Sequence, residues 1–289
     1  MNPADRDRSS VRRYQIAHRT HFSYAGTVTA SHNEVRMTPP TTTGQTSLES
    51  RLRIRPLSWG HTYRDYFGTS VTAIEATGPH GELDIESIST VERYETEPRE
   101  VTITWDELRD ENERDRRSEW LDPRPRTTLA PEVFAWVEHQ VAGMTPQEAV
   151  KRVIDITWEQ LHYQAGVTGV RSSAQDAWEA RKGVCQDFSH VAIGLLRQLG
   201  IPARYVSGYL TPKKDLEVGQ EAIGESHAWV EWWGGSWLGV DPTNLRRVSL
   251  DHVVVARGRD YDDVPPFKGV YSGAPLERLS VEVSITRLA

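Results

Sequence analysis

The chain has 289 residues and a net charge of −7, from 34 Lys and Arg against 41 Asp and Glu. That length allows one or two domains with ample core, and the acidic balance without a long basic run argues against a nucleic-acid partner. No stretch of about 18 apolar residues argues for a membrane span, the N-terminus lacks the apolar core of a signal peptide, and a single cysteine excludes an internal disulfide, which together point to a cytoplasmic protein.

Residues 1–11 carry no ordering signal and read as disordered. Residues 12–93 form a β-rich domain of short alternating runs, such as Ser70-Val-Thr-Ala-Ile74, cut by turn clusters at Pro39-Pro40 and Gly78-Pro-His-Gly81. Residues 94–128 are highly charged and read as a linker crossing the surface. An α+β core spans 129–289. Pro131 opens a helix ending near Gly143, and Thr145-Pro-Gln-Glu148 has the capping-box form that starts another. Ser173 with Asp176 caps a helix of about 174–182, and Gly183 can turn the chain out of it. From Val184 to Leu199, Phe188, Val191, Ala192, Leu195, Leu196 and Leu199 make one apolar helical face, stopped by Gly200 and Pro202. Strands follow at 203–210, 225–233 and 236–241, and the alternation of 279–288 gives a final strand.

The only cysteine, Cys185, falls in the first turn of the 184–199 helix. A lone cysteine is ordinarily a small buried hydrophobe. At this position, however, unpaired amide N–H groups and the helix dipole favour a thiolate. His190 is rotated roughly 140° from Cys185 around the helix and faces away from it. Asp187, also on the other side, is read as a structural hydrogen-bonding group, and Gln186 as facing solvent. The base must come from His227 in Ser226-His-Ala-Trp-Val230, with Asp241 as its orienter. Thiol, imidazole and carboxylate are the parts of nucleophilic acyl chemistry.

Both His227 and Asp241 lie on a β-hairpin around Gly234-Gly235. For them to share a face the loop must have odd length, whereas a two-residue Gly-Gly turn would invert His227. The expected register places Trp232 opposite Ser236, or Glu231 opposite Trp237. His18 and His21 are three apart in a strand, on opposite faces, and do not share a metal. Trp178, Trp229, Trp232 and Trp233 are candidates to wall a cleft, and Tyr163 or Trp158 to assist the Cys185 N–H in binding an oxyanion.

Gly183-Val-Cys-Gln-Asp-Phe-Ser-His190, Gly200-Ile-Pro-Ala-Arg-Tyr-Val-Ser-Gly-Tyr209, His227-Ala-Trp-Val-Glu231 and Asp241-Pro-Thr-Asn244 resemble the bacterial transglutaminase-like family, described as candidate cysteine proteases. The segment Arg259-Asp-Tyr-Asp-Asp-Val-Pro-Pro-Phe-Lys-Gly269 is similar to one that follows the core in such proteins. Tyr14, His18, Thr20, Phe22, Tyr24, Asn33 and Arg36-Met-Thr-Pro39 resemble the β-rich domain that precedes it. The resemblance implies an N-terminal antiparallel β domain before a papain/transglutaminase-like α+β core with the nucleophile at a helix N-terminus. It implies Cys185 as nucleophile, His227 as general base and acid, and Asp241 as orienter. The expected activity is cleavage of an amide in a protein or peptide substrate through a thioester, with no metal or organic cofactor. Amine transfer by a transglutaminase and a non-catalytic binding scaffold are the alternatives.

Overall fold

The structure, a computed structural model, describes residues 11–96, 101–166, 169, 171–211 and 216–289. The expected disordered segment therefore lies, but for Val11, outside the described residues. Among the described residues no helix is long and apolar enough to cross a membrane.

The N-terminal part opens with β1 (Val11–Thr38), β2 (Gln45–Arg55), β3 (Trp59–Arg64) and β4 (Ser70–Tyr94), which pair with one another. They are longer than the short runs expected, with 28 residues in β1 and 25 in β4. Gly78-Pro-His-Gly81 does not reverse the chain. β1 and β4 stay paired across it, with the register broken between Ser23 and Val28 of β1. Extra residues in β1 absorb the irregularity, so the two strands bend together instead of turning back.

The 94–128 segment is not a bare linker. It holds α1 (Trp105–Arg109), α2 (Glu111–Asp115) and a 3-10 turn at Ser118–Trp120. Its charged residues act as caps: Thr104 and Glu107 form a capping box, and Asp110 accepts from the Glu113 N–H. The segment then runs into the core, where Thr127 and Leu129 are buried. A Cβ on Gly194 would sit 1.9 Å from the Thr127 carbonyl oxygen, so that helix position needs glycine for close approach.

The core follows with α3 (Pro131–Gln140), α4 (Pro146–Gln160), β5 (His162–Tyr163), α5 (Ala174–Ala180), β6 (Lys182–Gly183), α6 (Cys185–Gln198), β7 (Ala203–Leu210), β8 (Glu221–Trp233), β9 (Trp237–Asp241), β10 (Arg246–Arg247) and β11 (His252–Gly258). The capping boxes at Thr145–Glu148 and Ser173–Asp176 both form. Arg181, with φ 56°, turns the chain out of α5, not Gly183. Gly183 is required for space instead, since a Cβ there would meet Asp187 at 2.6 Å. The architecture is α+β, as expected. The apolar stripe of α6 understates its burial, however. The helix is the centre of the core, enclosed by α3, α4 and α5 on one side and β7 and β8 on the other. Every residue from Gln186 to Arg197 is buried. A central helix cannot turn a polar face to water, and its one buried arginine bonds inward. Arg197 donates to the Ala203, Asp122 and Arg259 carbonyls.

The last two strands return to the N-terminal sheet. β12 (Phe267–Gly273) and β13 (Leu276–Arg287) pair antiparallel with β1, so the C-terminal strand extends the N-terminal sheet. β13 also pairs residues 283–286 with 221–224 of β8. Through β8, one sheet, of 11 strands among the described residues, runs from the N-terminal part into the core. Tyr14, Ile16, Val91, Val283 and Ile285 join the core helices in one hydrophobic cluster. Gln45, wholly buried, fastens the two parts: its Nε2 donates to the Val254 carbonyl at 2.9 Å, and its Oε1 accepts from the Val254 N–H at 2.8 Å.

Candidate active site

Cys185 opens α6 after Val184, whose extended backbone makes it the cap residue. The Val184 N–H donates to Asp187 Oδ2 at 2.8 Å. Asp187 is therefore a capping group that sets the chain angle at Cys185, matching its structural reading. The Cys185 side chain is partly exposed. Gln186, expected in solvent, is buried, because it stands on the enclosed first turn of α6. His190 faces away, as the helical spacing requires. Its ring is fully buried, and Nε2 accepts from the Tyr261 N–H at 3.2 Å. Burial, with the nearby Arg126 charge, pushes its pKa down to about 3.

β8 and β9 form the expected hairpin with an odd loop. Trp233 opposes Trp237 and Val230 opposes Val240, leaving Gly234, Gly235 and Ser236 as the loop. The register differs by two residues from that read off the sequence, because the turn is centred on Gly235, which has φ 89°. A two-residue change preserves the face. His227 and Asp241 thus become diagonal neighbours instead of direct ones, and His227 Nε2 lies 2.8 Å from Asp241 Oδ2.

The two form a buried pair, with Asp241 wholly buried and His227 at 7% exposure. Burial acts to lower the His227 pKa, but its hydrogen bond to Asp241 and the neighbouring Cys185 side chain outweigh it and lift it to about 9. Since Nε2 is engaged by Asp241, Nδ1 is the ring nitrogen left for another partner. Asp241 is held low despite burial by hydrogen bonds from His227, His252 and Asn244. Its Oδ1 accepts from the Thr243 and Asn244 N–H groups at 3.0 and 3.2 Å. Its Oδ2 accepts from Asn244 Nδ2 at 2.8 Å and lies 3.2 Å from His252 Nε2.

The structure pairs His227 directly with Asp241 and sets the Cys185 side chain close enough to act on the same ring, so the three sequence candidates meet at one site. Sequence reasoning missed the second imidazole, His252. It precedes a run of valines, and nothing local signals that its ring reaches Asp241. The Nε2 atoms of His227 and His252 and an Asp241 oxygen lie within 4.8 Å of one another, a spacing that a metal can span. Those same atoms are occupied in hydrogen bonds to one another, so a metal would have to displace them. His18 and His21 part as expected: His18 is buried with Nδ1 2.9 Å from the Tyr209 hydroxyl, and His21 pairs with Asp84 near solvent.

Of the two oxyanion candidates, Tyr163 is placed at the site. β5 pairs parallel to β6 with Tyr163 opposite Gly183, and burial and the Cys185 charge raise its pKa. Trp158 is half exposed on α4. Trp229 lies over His227, with ring centroids 6.2 Å apart and 28° between planes. Trp232 and Trp233 wall a cavity of about 1250 Å³ between the β domain and the core, but none of Cys185, His227 and Asp241 lines it.

A cysteine at a helix start, an imidazole and a buried carboxylate on a facing hairpin define the class of papain- and transglutaminase-like cysteine folds. Residues 14–92 match the bacterial transglutaminase-like N-terminal region, and residues 135–242 match the transglutaminase-like superfamily. The chain belongs to this family of cysteine-type enzymes. It is 43% identical over 277 residues to an uncharacterized protein of Mycobacterium leprae, covering 96% of this chain and 99% of that one. A shorter match, 35% identical over 82 residues, reaches the protein-glutamine gamma-glutamyltransferase of Pseudomonas aeruginosa and covers 26% of this chain and 12% of that one. The fold is similar to that of a candidate cysteine protease from Cytophaga hutchinsonii, with TM-score 0.75, 22% identity and coverage of 94% and 90%.

Proposed function

We propose that the protein is a cysteine hydrolase of amide bonds, a peptidase or amidase acting through a thioester. The observation that carries this reading is the buried His227–Asp241 pair at 2.8 Å, with Asp241 held ionised and the Cys185 side chain acting on the same imidazole. Cys185 Sγ, its proton passed to His227 Nδ1, attacks the carbonyl carbon of a peptide or glutamine-type carboxamide. The backbone N–H groups at the start of α6 face the oxyanion that forms, with the Tyr163 hydroxyl as a second donor. His227 Nδ1 returns the proton to the leaving amine as the C–N bond breaks, which leaves a Cys185 thioester. Water, deprotonated by the same nitrogen, then attacks the thioester and releases the acid and the thiol. Throughout, Asp241 holds the ring with its proton on Nε2.

The second reading is amine transfer. It is favoured by the match to the Pseudomonas aeruginosa gamma-glutamyltransferase, and it differs only in the nucleophile that resolves the thioester. A peptide library incubated with the protein, with and without a primary amine, and read by mass spectrometry tests both. Hydrolysed products in both conditions support the hydrolase. Amine adducts that form at the expense of hydrolysis identify the transferase. An unmodified library from the parent chain and from Cys185→Ala alike rejects both and leaves the binding scaffold. A protein or peptide in the cytoplasm is the partner this reading proposes.

A further inference from the structure

Asp241 Oδ2 faces two imidazoles, and the triad explains only one. We propose that His252 is a positioning residue: as the neutral ring with its proton on Nε2, it donates to Asp241 Oδ2 and fixes the carboxylate that orients His227. The proposal rests on the acyl-transfer reading of Cys185 and His227 for its catalytic meaning.

The tautomer follows from the partner of the other nitrogen. The Ser249 backbone N–H lies 3.2 Å from His252 Nδ1. A backbone amide can only donate, so Nδ1 presents its lone pair and the single proton of the neutral ring stands on Nε2. That proton points along the 3.2 Å contact to Asp241 Oδ2. Neutrality follows from placement: the ring has no solvent exposure, and burial pushes its pKa below the ordinary histidine value against the pull of Asp241. The charged or titratable groups that face it are Asp241, His227 and Arg246. The Trp229 ring meets it edge-on at 5.2 Å, and the His252 N–H closes a turn onto the Ser249 carbonyl at 3.1 Å. The ring is thus locked from its backbone, its face and its far nitrogen.

Oδ2 receives three donors, at 2.8 Å from His227, 2.8 Å from Asn244 and 3.2 Å from His252. An oxygen with two lone pairs divides its charge among them. Removing the His252 donor leaves more of that charge for His227, so the His227 pKa rises, and it frees the carboxylate to rotate.

The test is 15N-histidine NMR on the full chain carrying Cys185→Ala, which uncouples the imidazole from the thiol. The expected result is a neutral His252 with the proton on Nε2 between about pH 6 and 9, and a His227 titration raised by about half a pH unit or more in His252→Phe and returned by His252→Gln. A proton on Nδ1, a charged His252 in that range, or an unshifted His227 in a folded His252→Phe overturns the proposal. If His252→Phe fails to fold, the tautomer read on the unsubstituted ring decides alone. None of these readouts uses turnover. Loss of the acyl-transfer reading would show as a Cys185→Ala variant as active as the parent, with the His252 signals unaffected.

Discussion

Replacing Asp241 with Asn tests the central electrostatic argument. The shape is kept while the charge is lost. His227 stands at about 9 against an ordinary 6.5, a difference equivalent to about 3 kcal/mol of preference for the charged ring. Asp241 is the leading contributor in the raising direction, so its charge accounts for part of that preference. Asparagine also turns an NH2 group toward donors in either orientation, because Oδ1 faces two backbone N–H groups and Oδ2 faces three side-chain N–H groups. Each donor left unpaired costs about 1–3 kcal/mol. The total expected destabilisation is about 3–5 kcal/mol. Turnover should fall about 10³–10⁴-fold, because the ring loses the partner that keeps its proton on Nε2. The pH dependence gives the sign. A histidine raised in the folded state contributes its full stability below about 6.5 and loses it as pH rises through about 9. The parent should therefore lose urea resistance between pH 6.5 and 9, and the variant should show a much flatter profile. Urea midpoints at several pH values across that range measure both curves. A variant as stable as the parent, or a stability gap that does not narrow toward pH 9, refutes the reasoning.

Cys185→Ala should abolish turnover while changing stability by about 1 kcal/mol or less, since the side chain is only partly buried; loss of folding in circular dichroism would contradict this. Gly194→Ala should destabilise by about 1–3 kcal/mol or more, because the new Cβ meets a backbone oxygen that must move; an unchanged urea midpoint would show that the 127 segment is free to shift. Glu231→Ala should cost about 3–5 kcal/mol by stranding two arginines, Arg204 and Arg257, around a buried site. The Glu231 carboxylate, which burial would raise but the two arginines hold at about 2, contributes stability above about 4.5 that is lost only as pH falls toward 2, so the parent and Glu231→Ala should converge in acid denaturation.

Local devices are legible in the amino-acid sequence. Thr145 with Glu148 and Ser173 with Asp176 announce their helices because a capping box is closed within four residues. Cys185 at a helix start follows from periodicity; His227 and Asp241 on one hairpin face follow only from requiring an odd loop against the Gly-Gly turn signal, and that parity survives an error of two residues in register. The environment of α6 is less legible. Its apolar stripe marks one packed face, but neither the burial of Gln186 nor that of His190 can be read from spacing, because the elements that enclose them come from distant parts of the chain.

The chain's own sequence determines the order of its candidate residues, cysteine, then histidine, then aspartate, at a helix start and on a hairpin that local patterns mark. Tertiary structure alone decided where β13 lies, pairing Ile285 with Ile16 across most of the chain. It alone brought His252 to Asp241 and Gln45 to Val254. The physical reason is the same in each case. A hydrogen bond between residues far apart in sequence leaves no period, cap or turn at either end, and only the closed sheet puts the two partners within reach.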